Sequence, residues 1–322
     1  MTLLDKLFQL LVAVVLFAAV MGGVLFLANR ARGRWSNLLQ SLAFVAPALL
    51  LLAVGLVYPA VRTAIQSVFD RTSANFVGLS NYITIFTQPD LLVVLRNTAI
   101  WVIVTPLLAT AIGLIYAVLV DRTRFEALAK ALIFLPMAIS FVGASIIWKF
   151  IYEFRPNQQN IQQIGLVNQF LVWLGFEPVN LILLQPWNNL LLIVVMIWIQ
   201  AGFAMTILSA AIKAIPDDVV EAARLDGVGG LRMFWFITLP SIRPAVVVVL
   251  TTISIAVLKV FDIVRTMTGG QYGTGVVANE FYTQSFRLFD LGVGSSLAML
   301  LFVLVVPIVI YNVRQMRKVD AR

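Results

Sequence analysis

Seven stretches of this sequence, near 7–28, 38–60, 92–119, 131–151, 188–211, 244–264 and 293–313, are apolar over close to the roughly 20 residues that carry a helix across a bilayer. Lipid offers the backbone no hydrogen-bond partner, so each stretch must satisfy its own N–H and C=O groups as a helix. The expected fold class is an all-α integral membrane protein with about seven transmembrane helices. Composition agrees: 61% of residues are hydrophobic and 12% charged, where a soluble domain carries about a quarter charged. No long loop or low-complexity linker divides the chain. Residues 1–37 read as an extra N-terminal helix with a basic linker, and 38–322 as a six-helix core. A secretory signal is the competing reading of the first 27 residues. Their apolar run is long for a signal, Asp5-Lys6 is neutral on balance, and Arg30, Arg32 and Arg34 follow as they follow a membrane anchor.

The net charge of +8 is spread by membrane side and not gathered into a basic groove with stacking aromatics, so no nucleic-acid partner is expected. If the seven spans alternate, one side holds Arg30, Arg32, Arg34, Arg122, Arg124, Lys130, Lys213, Arg224, Arg232, Arg243, Arg314, Arg317, Lys318 and Arg322, fourteen of the 23 Lys and Arg residues. That side is expected to be the cytoplasm, with the C-terminus inside and the N-terminus outside. The sequence contains no cysteine and no histidine, which removes thiolate chemistry and the commonest metal ligand and acid–base group. It also has no phosphate-binding P-loop. Catalytic residues, metal and cofactor are therefore expected to be absent, and any ATP that drives this protein must bind another chain.

A polar island interrupts the apolar pattern between the fifth and sixth stretches. Pro216-Asp217-Asp218 reads as a helix start, with Asp217 placed to accept from free N–H groups of the first turn, and Gly227 reads as the stop. Val219, Ala222, Ala223 and Asp226 fall on one face at three-and-four spacing, and the paired alanines suit close approach by another surface. The bland alternative is a solvated connector. With Glu221-Ala222-Ala223, then Asp226-Gly227 and later Leu239-Pro240, the island resembles the cytoplasmic loop of the permease subunits of ATP-binding cassette (ABC) importers. Val228 stands where that family usually has alanine. The resemblance implies that 217–227 is a coupling helix, seated in a cleft of a separate ATPase subunit and passing its closure to the spans. Glu221 would make polar contacts there, while Ala222, Ala223 and Gly227 permit the fit.

Two segments are expected outside. Residues 152–187 carry Asn157, Gln158, Gln159, Asn160, Gln162 and Gln163, three prolines, and Trp173 and Trp187 at interface positions; they read equally as surface helices contacting an outside partner or as a solvated connector. Thr268–Gly275 is glycine-rich and permits tight turns. Phe261-Asp262, Thr268-Gly269-Gly270, Asn97-Thr98 and Phe134-Leu135-Pro136 resemble the oligosaccharide branch of importer permeases, and the run from Phe134 to Tyr152 through Arg155-Pro156 resembles its α-glucoside members. The implied partners are a second, similar permease, a cytoplasmic ATPase dimer and an extracellular or periplasmic sugar-binding protein, in a bacterial or archaeal cytoplasmic (inner) membrane.

Sugar hydroxyls need neutral donors, acceptors and aromatic faces. Tyr116, Trp198, Gln200 and Ser254 are the candidates within the spans, against the alternative that such groups bond other helices or their own. Lys259 and Asp262, three apart, are read as a pair or part of an external gate, or Lys259 as snorkelling to the headgroups. A permease for another small polar solute such as glycerol phosphate remains an alternative. A self-sufficient secondary transporter would need repeats or midplane ionisable groups that the sequence does not display.

Overall fold

The computed structural model describes residues 3–30, 36–121, 123–156 and 163–320. Arg32, Arg34, Arg122, Arg322 and the Asn- and Gln-rich run 157–162 lie outside the described residues. In chain order the helices are α1 (Leu3–Arg30), α2 (Ser36–Leu52), α3 (Tyr58–Gln66), α4 (Ser80–Thr87), α5 (Pro89–Val120), α6 (Glu126–Phe134), α7 (Phe141–Ile151) and α8 (Leu166–Trp173). They continue with α9 (Trp187–Lys213), α10 (Asp217–Leu225), α11 (Gly230–Met233), α12 (Leu239–Ser241), α13 (Arg243–Leu258), α14 (Asp262–Met267), α15 (Val277–Tyr282) and α16 (Leu291–Asp320).

Two compact units result, Met1–Ile65 and Gln66–Arg322. Here α1 packs on α2, so the first two apolar stretches share the first unit. Within that unit α2 passes into α3 through a π-helical turn, Ala53–Val57. The apolar segment Phe44–Gln66 is long enough to cross a membrane, and the chain buries none of its most apolar window.

The second unit is organised by α5 and α9, whose backbones touch. A Cβ on Gly113 would lie 2.5 Å from Ala204 Cβ and 2.7 Å from the Met205 nitrogen, and one on Gly202 would lie 2.5 Å from the Ile133 carbonyl oxygen of α6. Small residues at such points let membrane helices pack by direct van der Waals contact where lipid supplies no hydrophobic drive. Around this seam Trp101, Leu192, Met196, Met205, Leu208 and Ile253 are buried in one core. The helix α13 lies across α5, and α16 is fixed to α13 by Asn312 Nδ2 donating to Thr251 Oγ1 at 2.5 Å. A smaller core of Ile85, Leu91, Val94, Val277 and Leu297 joins α4, α5, α15 and α16.

Two expected spans are not straight. The stretch 131–151 bends by 102° between Glu126–Ala138 and Phe141–Ile151. Pro136 cannot continue α6, a 3₁₀ turn follows over Leu135–Ala138, and Ser140 Oγ then caps α7 by accepting from the Gly143 N–H at 3.1 Å. The stretch 244–264 breaks after Leu258, and α14 restarts at Asp262. Leu258 and Val260 are both buried; on a continuous helix they would point about 200° apart, and the break turns both into the core. A further bend of 69° separates Gly230–Ser241 from Arg243–Leu258. By length and composition the described residues hold four crossing helices, six with each bent pair counted as one span, and α1 adds a shorter apolar stretch, Val14–Val24. The all-helical membrane class stands; one bend falls inside the expected stretch 131–151, and the other falls at residue 242, just before the stretch 244–264.

Between α3 and α4 the chain turns on Asp70. Its carboxylate accepts from Asn75 Nδ2 at 2.7 Å, the Ala74 N–H and Thr72, which holds its pKa down at about 2, well below the ordinary carboxylate value. The same loop is tied to the start of α16 by Arg71, which donates to the carbonyls of Leu288 and Phe289, and by Ser296 Oγ donating to the Ser67 carbonyl at 2.9 Å.

The seam between α5 and α9 makes a direct test. Gly113→Leu forces the backbones apart, and overpacking of this kind costs about 1–3 kcal/mol. The detergent-solubilised protein is expected to melt several degrees lower, read by differential scanning fluorimetry; an unchanged midpoint would show that the two helices are not in backbone contact.

Candidate functional site

The polar island forms as a capped helix with one difference from expectation. Pro216 occupies the N-cap position without a side-chain hydrogen bond, so Asp217 is the first helical residue and not the cap. Asp217 and Asp218 still sit in the first turn, where the helix dipole favours them. At the other end the Val228 N–H bonds the Ala223 carbonyl and the Gly227 N–H bonds the Arg224 carbonyl, both at 3.0 Å, which is a Schellman closure. It requires the φ of +75° that Gly227 adopts.

The faces of α10 also divide differently. Ala223, expected on the docking face, is 6% exposed and seats the helix on its own chain, with Val220 half-buried beside it. At 100° per residue the opposite face carries Asp218, Glu221, Ala222 and Leu225. Leu225 is 89% exposed, an isolated leucine on the polar side that the alanine pattern drew attention away from. Asp226 is exposed and caps the C-terminus through its backbone. Leu239 is half-buried and Pro240 exposed; both lie in the bend that follows a π-helical turn, Phe234–Thr238, away from the α10 face.

Beneath α10 the ends of three helices are joined by charge. Lys130 of α6 lies 2.5 Å from Asp121, at the C-cap of α5, and 2.9 Å from Glu126, which also pairs with Lys213 of α9. Ser209 of α9 donates to Asp121 Oδ1 at 2.7 Å. A cavity of about 210 Å³, lined by Val118, Asp121, Ile212, Ile215, Val220 and Phe234, separates this cluster from α10 and the turn after it.

At the opposite ends of α5 and α9, roughly 40 Å of helix away at 1.5 Å per residue, lies a cavity of about 970 Å³. Its glycine-rich wall is pinned by two buried asparagines. Asn97 Nδ2 donates to the carbonyls of Gly273 and Gly275 at 2.7 and 3.0 Å, and Asn188 Nδ2 donates to the Tyr272 carbonyl at 2.9 Å. Thr98 accepts from the Val277 N–H at 2.9 Å, and Trp101 Nε1 donates to Asn189 Oδ1 at 2.8 Å. Asn97-Thr98 is thus the anchor for the glycine loop, a pairing across 176 residues that no local pattern reveals.

The six candidate pathway residues do not gather there. None of Tyr116, Trp198, Gln200, Ser254, Lys259 or Asp262 lines this cavity. Ser254 Oγ donates to the Leu250 carbonyl of its own helix at 2.8 Å, and Trp198 packs edge-on against Trp148 with ring centroids 5.7 Å apart. Trp198 and Gln200 are two residues apart and face about 200° away from each other. Tyr116 is exposed near the other end of α5. Lys259 and Asp262 do not share a helical face, because the chain breaks between them, and they do not pair.

Residues 94–317 match the family described as the inner membrane component of binding-protein-dependent transport systems. The chain is 50% identical to the osmoprotective compounds uptake permease protein GgtC of Synechocystis, over 85% of this chain and 98% of that one. It is 48% identical to the alpha-glucoside transport system permease protein AglF of Rhizobium meliloti, over 87% and 83% of the two chains. A solved bacterial alginate ABC transporter, in complex with its alginate pentasaccharide-bound periplasmic protein, superposes with a TM-score of 0.75 at 20% identity over 89% of this chain and 98% of that one, which speaks to the fold alone.

Replacing Asn97 by alanine leaves the Gly273 carbonyl and the buried Gly275 carbonyl without this donor, at a cost of about 1–3 kcal/mol. Amide exchange over residues 270–277 is expected to quicken in Asn97→Ala while α9 stays protected; equal exchange in variant and parent would mean that other bonds hold the loop.

Proposed function

The chain belongs to the family of binding-protein-dependent transport system inner membrane components, and from that premise we propose that it is the permease for neutral sugars, α-glucosides foremost, in an ATP-driven importer. ATP hydrolysis resides on a separate subunit, and this chain converts ATPase closure into alternating access of the spans. The observation that carries the coupling role is α10, a closed, capped helix that presents Glu221, Ala222 and Leu225 outward while Ala223 seats it on the chain. Coupling is proposed for Glu221, Ala222 and Leu225 by contact, and for Ala223, Asp226, Gly227, Leu239 and Pro240 by holding that surface in place. Identity of 48% to an α-glucoside permease supports the sugar, and 50% identity to an osmoprotective-compound permease favours solutes of similar chemistry as a second reading.

In this reading the complex also contains a second permease, an ATPase dimer and an external binding protein. Residues 38–322 form the permease core and 1–37 an added helix. The α10 loop and the C-terminus face the cytoplasm and the N-terminus faces outward, supported by the fourteen basic residues that alternate to one side. The 970 Å³ cavity then opens outward, as an outer vestibule.

Vesicles reconstituted with this chain and its co-encoded permease, ATPase and binding protein are expected to accumulate labelled maltose or trehalose when ATP is supplied to the ATPase side. ATP-driven uptake of glycerol phosphate instead would discard the sugar, and uptake by this chain alone without ATP would overturn the importer.

Coupling has its own test. Burying a leucine contributes about 1.5–3 kcal/mol, so Leu225→Asp is expected to weaken ATPase association at least about tenfold. Uptake should fall with it. Unimpaired association and uptake would place the docking surface elsewhere.

A further inference from the structure

Tyr272 is a non-glycine residue held in the left-handed region, at a φ of +57°, in the wall of the outer vestibule. A bulky side chain there is a genuine outlier, strained by a steric clash that glycine would not suffer. The strain is imposed from both sides: Asn188 of α9 bonds the Tyr272 carbonyl, and Asn97 of α5 bonds the carbonyl of the next residue, Gly273. Two helices therefore hold the backbone that carries this ring at the rim of a cavity, and the residue is half exposed. Strained backbone of this kind persists where surrounding structure over-determines it, and it clusters at ligand clamps.

The cavity has matching chemistry. Gln88, Gln185, Gln271 and Gln284 supply neutral amides, each with donor and acceptor atoms, and Trp187 adds a second aromatic face. Glu280 accepts from Gln284 Nε2 at 2.8 Å, which orients that amide. Its charged groups are two carboxylates, Asp90 and Glu280, against one guanidinium, Arg96, so the lining attracts no anion and the amides supply its neutral contacts. A volume of about 970 Å³ is at the upper end of small-molecule pockets.

We propose that the outer vestibule is a binding site for a neutral polyhydroxylated solute of disaccharide size, with the Tyr272 ring preorganised by Asn97 and Asn188 to stack on a sugar face. The site receives the sugar before it enters the spans. This deepens the sugar-import reading and rests on it.

The test uses the reconstituted complex with its binding protein and the labelled disaccharide, maltose or trehalose, that the parent takes up. Tyr272→Gly relieves the backbone strain while removing the ring, so it is expected to assemble normally and yet lower uptake at subsaturating sugar by about tenfold, the effect of losing one well-oriented ring contact. Tyr272→Phe keeps the ring and is expected to retain uptake. Parental uptake in Tyr272→Gly overturns the vestibule site and leaves the importer standing. Loss of uptake traced to weaker docking of the sugar-free binding protein also overturns it, because the ring then serves a protein contact. No ATP-driven uptake of either sugar by the parent complex overturns the sugar reading, and the vestibule site with it.

Discussion

Direct backbone contact between α5 and α9 is the constraint on which the second unit depends. Gly113 against Ala204 and Met205, and Gly202 against the Ile133 carbonyl, leave no room for even a methyl group. Helices that meet this closely cannot slide or rotate separately without unpacking the core around Trp101, Met196 and Leu208. The ion cluster of Asp121, Glu126, Lys130 and Lys213 locks the same helices where the seam ends. Consequently α5, α6 and α9 form one body, with the α10 helix at one end and the vestibule at the other.

Much of this was legible in the sequence, and what was not has identifiable causes. Hydropathy located the long apolar helices α5, α9 and α16, because each contains an apolar run of the length a bilayer requires. The α10 helix was legible through its Pro-Asp-Asp start and Gly227 stop, both local signals. Hydropathy cannot report direction, so the turn at Pro136 and the break after Leu258 passed as continuous apolar stretches. The break at 258–262 has neither proline nor glycine to announce it; burial on two sides produces it. Ala223 and Ala222 look equivalent in sequence, and only burial in the folded chain distinguishes the seating residue from the outward one.

The vestibule was the least legible part. Its anchors, Asn97 and Asn188, reach a glycine loop far along the chain, and its lining comes from four separate segments. Reasoning about depth in the bilayer instead favoured residues such as Trp198, which packs on Trp148, and Ser254, which bonds the carbonyl of Leu250 in its own helix. Polar groups within spans first serve the helices that carry them. The cavity amides Gln88, Gln185, Gln271 and Gln284 instead lie where helices end.

One feature of α9 has a mechanical meaning. Its 27 residues run from Trp187 to Lys213 with no internal proline, whereas α2, α5 and α16 carry Pro47, Pro106 and Pro307. A helix without such a joint does not absorb a push; it behaves as a push-rod. With Lys213 four residues from the start of α10 and Asn188 bonded to the Tyr272 carbonyl, one unjointed helix connects the chain beside α10 to the glycine-rich wall of the cavity.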